Sequence, residues 1–198
     1  IYASVVPLQI EGAYENAAQA YEEARKLNPG TPEIDFALAQ MQVARGQSAD
    51  ARVKVEAALG KKPDYTPAIL LAGQIALVEG KIDEAIDAVA AALVFEPQNS
   101  VLLYQFGVLF LANQDYANAA LALEEALKVN AEYANAKFFL GQAYVFLDRP
   151  DDALVLYREL AKENADNDVL AAIIADLETG KNPFSDGVTP PPEPKTNQ

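Results

Sequence analysis

With 29 Asp and Glu but no histidine and no cysteine, this 198-residue chain has carboxylates as almost its only source of catalytic chemistry. Without an imidazole or a thiolate it has no ready general base near neutral pH, no sulfur nucleophile and no usual zinc or copper ligand set. The closest acid pairs are Glu124 with Glu125 and Asp151 with Asp152. On a helix, neighbours in sequence point about 100° apart, so neither pair can share a proton, and both read as solvated surface charge. Asp166 and Asp168, beside Asn164 and Asn167, have the oxygen content of a calcium loop. The central glycine and distal glutamate of that loop are missing, so these residues read as helix caps. The expectation is therefore a protein without catalysis, metal or cofactor.

The charge balance narrows the partners. Fifteen Lys and Arg leave a net charge of −14, which repels phosphate backbones and anionic lipid headgroups; neither nucleic acid nor direct membrane contact is expected. The absence of cysteine leaves the redox compartment open. The chain starts at Ile1 with an apolar stretch, IYASVVPLQI, too short to cross a bilayer and lacking the basic flank of a signal peptide; it reads as a piece of a longer protein.

What remains for function is binding, and spacing shows how binding residues are carried. Pro29, Pro63 and Pro97 fall 34 residues apart, and the next two steps reach Ala131 and Ala165. With Pro32, Thr66, Ser100 and Ala134 as first residues of four units, the eighth position reads Ala39, Gly73, Gly107 and Gly141. The twentieth reads Ala51, Ala85, Ala119 and Ala153, and the twenty-seventh Ala58, Ala92, Ala126 and Leu160. These small seams let helices approach closely. Leu38, Phe106 and Leu140 put bulk at the seventh position, where Ala72 is the small exception, and Phe110 and Tyr144 put rings at the eleventh. Gly46 and Gly80 stand where a first helix must stop, and Thr31 and Thr66, each followed by proline, read as N-caps. A unit of helix, turn and helix cannot bury its apolar faces alone, so it must stack on its neighbours.

The pattern resembles the tetratricopeptide repeat (TPR) family, with its small eighth, twentieth and twenty-seventh positions and a proline near the thirty-second. The resemblance covers about residues 13–165, because GAYENAAQAYEEARKLNP fits the second half of a preceding unit. It implies an all-α, right-handed solenoid of antiparallel helix pairs: four full repeats, a half repeat before them and a capping helix over NDVLAAIIADLETG. Residues 1–12 are expected to form a degenerate segment, kinked or truncated at Pro7. Residues 13–180 would form the solenoid, and 181–198, rich in proline, an unpacked tail.

In this family the first helices line the concave face and contact ligands. That assignment makes a candidate groove of Phe36, Leu70, Tyr104 and Phe138 at the fifth position. The ninth adds Gln40, Gln74, Val108 and Gln142, and the twelfth Val43, Leu77, Leu111 and Val145. Members that clamp a C-terminal carboxylate carry Lys and Asn at the fifth and ninth positions of the first unit; Phe36 and Gln40 stand there instead, so no clamp is expected. Only Glu33, Asp35 and Glu79 are acidic on the four first helices, and SVLLYQFGVLFLAN has no charge at all. The implied partner is an apolar or amphipathic protein or peptide segment. The same stripe is also what core packing produces, and the chain's own ends or a second copy in a homodimer are the alternative occupants. More narrowly, YASVVPLQIEGAYENAAQAYEEARKLNPGTPEI and LETGKNPFSDGVTPPPEP are similar to the C-terminal TPR region of bacterial O-antigen ligase or polymerase-like membrane proteins. That likeness implies an extracytoplasmic appendage tethered to a membrane, with glycan chemistry housed elsewhere.

Overall fold

A computed structural model describes residues 12–164 and 166–185, and all its regular structure is helical among them. It divides into two compact units, residues 1–95 and 96–198. The first holds α1 (Ala13–Leu27), α2 (Pro32–Ala44), α3 (Ser48–Lys61), α4 (Thr66–Val78) and α5 (Ile82–Phe95). The second holds α6 (Ser100–Ala112), α7 (Tyr116–Val129), α8 (Ala134–Phe146), α9 (Pro150–Glu163) and α10 (Asp168–Glu178). The expected break at Pro7 lies outside the described residues.

Each repeat closes its first helix in one way. The fifteenth residue is left-handed in all four units, with φ of 72° at Gly46, 75° at Gly80, 60° at Gln114 and 58° at Asp148. The residue after it donates its N–H back across the turn, from Gln47 to the Gln42 carbonyl at 2.9 Å and from Arg149 to the Tyr144 carbonyl at 2.8 Å. This six-residue closure satisfies carbonyls that a helix end leaves orphaned. Two units use glycine for it and two bear the cost of a side chain there.

The helix starts correct one expectation. Thr31 is an N-cap residue, but α4 begins at Thr66 itself, with Tyr65 before it and Pro67 inside the first turn. Where side-chain caps form, asparagine and aspartate make them: Asn99 accepts from the Val101 and Leu102 N–H groups, Asp115 from Asn118, and Asn167 from Val169 and Leu170. At α10 the cap is therefore Asn167, with Asp168 the first helical residue.

The seams pack as their residue sizes demand. Ala39, Ala51, Ala58, Ala85, Ala92, Ala119, Ala126 and Ala153 have no solvent exposure at all. The first unit's core gathers Ala39, Ala51, Val55, Leu71 and Ile75. The second unit has the larger, aromatic core, with Leu123, Phe138, Phe139 and Tyr157 meeting Leu170 and Ile173 of the capping helix. Tyr157 is completely buried, donates its hydroxyl to the Phe138 carbonyl at 3.0 Å, and packs on the backbone at Gly141.

Candidate functional site

The twelve first-helix residues divide by unit. In the first unit, the turn that fixes α2 beside α3 leaves Gln40 exposed and Phe36 and Val43 half-buried. Phe36 is braced edge-on by Tyr65 at 5.4 Å between ring centres. On α4, Leu70 is half-buried, Gln74 exposed and Leu77 46% exposed; Val78 beside it is 75% exposed. The outward-facing part of the row is therefore Gln40 on α2 and Gln74, Leu77 and Val78 on α4, two first helices that pack together, while Phe36 and Val43 pack against the first unit's core.

The second unit is different. Tyr104, Val108 and Val145 are half-buried against the core. Tyr104 lies 5.0 Å from Tyr133 and 5.9 Å from Phe139 between ring centres. Burial pushes the Tyr104 phenol above its ordinary pKa, as it does for Tyr133. Leu111, Phe138 and Gln142 are the corrections: they are at most 2% exposed and belong to the interior, so they cannot line an open wall. Phe138 is enclosed by Tyr157 at 5.5 Å and Phe139 at 5.8 Å between ring centres and also by Phe184, itself buried, at 6.5 Å, whose ring lies 6.3 Å from Phe146 and 6.2 Å from Tyr157. A segment read as unpacked from Lys181 thus contains an aromatic anchor; its proline-rich composition concealed the one ring able to dock.

Carboxylates do not crowd the first-helix row. Of the acids on these helices, Asp35 is fully buried, pairing with Lys61 of α3 and lying 3.7 Å from Arg25 of α1. It ties three helices together and had no sequence signal beyond being a charge at the fourth position, where the other units carry Ile69, Leu103 and Lys137. Glu79 is bound by Arg52 at 2.6 Å and Lys81 at 2.9 Å, and the Arg52 bond holds its carboxyl below the usual range. Tyr144 donates to Glu124 at 2.9 Å, and burial together with that bond raises its pKa to about 12. No group of three or more acidic side chains able to hold a metal ion occurs among the described residues. None of the helices described is long and apolar enough to cross a membrane.

The repeat register, the fifteenth-position turns and the buried alanine seams agree with family-level sequence models of the tetratricopeptide repeat, which match residues 11–66, 36–100 and 110–177. The chain belongs to the tetratricopeptide repeat family. Among curated proteins it is 34% identical over 101 residues to the BBSome complex member BBS4 of Mus musculus, a match covering half of this chain and 19% of that protein. It is 24% identical over 172 residues to the human protein O-mannosyl-transferase TMTC1, covering 76% of this chain and again 19% of the relative. The chain therefore spans about a fifth of the length of these relatives. Its fold resembles that of YrrB, described as a TPR protein with an unusual peptide-binding site, with a TM-score of 0.72 at 19% identity over 82% of this chain and 84% of that one. A tetratricopeptide repeat protein from Parabacteroides merdae gives the same TM-score at 19% identity, covering 85% of this chain and 67% of that one. TPR folds generally mediate protein–protein interaction.

Proposed function

We propose that the chain is a non-catalytic interaction module whose first-helix row binds an apolar or amphipathic peptide or helix from another protein. The observation that carries this reading is the exposure of Leu77 and Val78 beside Gln40 and Gln74 on paired first helices. Apolar side chains held out in water release free energy when covered, and amides beside them bond to a ligand's backbone. The groove is accordingly Phe36, Gln40, Val43, Leu70, Gln74 and Leu77 in the first unit, with Tyr104, Val108 and Val145 supplying a second patch. The part-length relationship to BBS4 and TMTC1 supports a repeat region working within a larger protein, here proposed to be a bacterial envelope protein.

Peptide display against the immobilised chain, followed by calorimetry on the selected sequences, tests the reading. Selected peptides should be rich in leucine or aromatic residues, and Leu77→Glu or Gln74→Ala should weaken them at least about tenfold, equivalent to ~1.4 kcal/mol. Peptides that bind Leu77→Glu as well as the parent would overturn it. A dimer in light scattering that Leu77→Glu dissociates would instead favour self-association through the same row.

A further inference from the structure

A second apolar recess lies in the first unit, away from the first-helix row. It is lined by Ile69 and Ala72 of α4, Ala88, Ala91 and Val94 of α5, and Leu59 of α3. The repeat explains why it is open. Ala72 holds the seventh position, where the sister units place Leu38, Phe106 and Leu140; Leu38 and Leu140 are buried at 4% and 3% exposure. The unit containing α4 and α5 lacks the side chain that its siblings supply from their own sequence, and Ala88 and Ala91 do not fill the gap from the facing helix. Val94, 75% exposed, and Phe95, 50% exposed, stand at the rim, at positions that are exposed in every repeat.

The rim is acidic. Glu84 and Asp87 stand one helical turn apart on the outer side of α5. Glu84 is engaged by Arg52 at 3.1 Å and Lys81 at 3.5 Å, while no cation lies within ion-pair distance of Asp87 among the described residues. An apolar recess sized by its siblings for leucine or phenylalanine, beside an unpaired carboxylate, specifies an occupant by shape and charge together.

The geometry points to a second protein-binding site here, which receives one leucine or phenylalanine side chain of a partner segment that carries Lys or Arg one helical turn away. The partner's ring or isobutyl group takes the place that Leu38 and Leu140 take in the other units, and its cation pairs with Asp87. This site uses the back of α4 and neither requires nor excludes the first-helix row.

The probe is an alanine-based helical peptide with one Phe and a Lys one turn to either side, titrated into the isotopically labelled chain and followed by backbone amide NMR. The expected result is a set of shifts at Ala88, Ala91 and Val94 that is lost when the peptide's Phe is replaced by Ala. Ala72→Leu, which fills the recess from within, should abolish the shifts, with helical content by circular dichroism showing that the fold is kept. Ala91→Gln tests the same point at an exposed position where folding is not at stake. Asp87→Lys should weaken binding about tenfold at low salt, and Leu77→Glu should leave it unchanged. Shifts that survive Ala72→Leu and Ala91→Gln, shifts that centre on Gln40 and Leu77, or no shifts at all would each overturn the site. A parent dimer dissociated by Ala91→Gln would overturn it as well, by giving the recess to a second copy.

Discussion

Gly141→Ala measures how closely the second unit is packed. A Cβ built on Gly141 meets Tyr157 Cζ at 2.5 Å and Cε2 and Oη at 2.8 Å, closer than carbon atoms tolerate. The ring cannot swing aside, because Tyr157 is fully buried and its hydroxyl is bonded to the Phe138 carbonyl. Two effects oppose one another. Replacing glycine by alanine in a helix contributes about 1 kcal/mol of stability through backbone entropy. Overpacking a filled core costs about 1–3 kcal/mol, and displacing the Tyr157 hydroxyl from its acceptor costs about 1 kcal/mol more. The net expectation is a loss of about 1–3 kcal/mol. Gly60→Ala supplies the reference, since its Cβ would have no neighbour within 4 Å, so it should stabilise by about 0.5–1 kcal/mol. Gly73→Ala falls between: the nearest atom is the half-buried Ala88 Cβ at 3.0 Å, next to the open recess, and the change should be within about 1 kcal/mol of zero. Urea denaturation followed by circular dichroism gives the ranking, and amide hydrogen exchange localises the loss to α8 and α9. If Gly141→Ala were as stabilising as Gly60→Ala, the Tyr157 ring would be free to yield, and the close-packing argument for the eighth-position seam would fail.

Three further outcomes follow from the same coordinates. Gln114→Gly and Asp148→Gly should each stabilise by about 0.5–1 kcal/mol, because both residues hold a left-handed backbone that Gly46 and Gly80 adopt without a Cβ; unchanged denaturation midpoints would refute this. Asp35→Ala and Asp35→Ile should each cost about 1–3 kcal/mol, because either change leaves Lys61 without its partner; an Asp35→Ile that costs clearly less than Asp35→Ala would argue that side-chain volume rather than charge pairing matters there. Tyr144 holds its proton more tightly when folded than when unfolded. Its contribution is therefore whole below the ordinary phenol pKa of about 10 and is lost as pH rises toward about 12, so stability should fall over that window and fall less steeply in Tyr144→Phe, as read by denaturation at stepped pH.

The fold was legible in sequence because a repeat states its constraints several times over. One alanine at the twentieth position means little, but Ala51, Ala85, Ala119 and Ala153 at a spacing of 34 define a seam, and all four are fully buried. Gly46 and Gly80 marked the helix stops by conformational freedom, while Gln114 and Asp148 became recognisable only by sharing their register. The binding face was less legible. A periodic apolar stripe has the same appearance whether it faces water or a neighbouring helix, so the pattern that named Gln40 and Leu77, which stand exposed, also named Leu111, Phe138 and Gln142, which the core absorbs.

The amino-acid sequence by itself determined the helix pairs, their 34-residue register and the exclusion of imidazole and thiol chemistry, since these depend on residue type and on spacing along one strand of chain. Only the tertiary structure decided which of the predicted contact residues remain accessible, that Phe184 returns to seal Phe138, that Asp35 is buried between Arg25 and Lys61, and that the small Ala72 leaves a recess in the back of the first unit. Each depends on what another segment, distant in sequence, brings to the same place, and no local pattern contains that information.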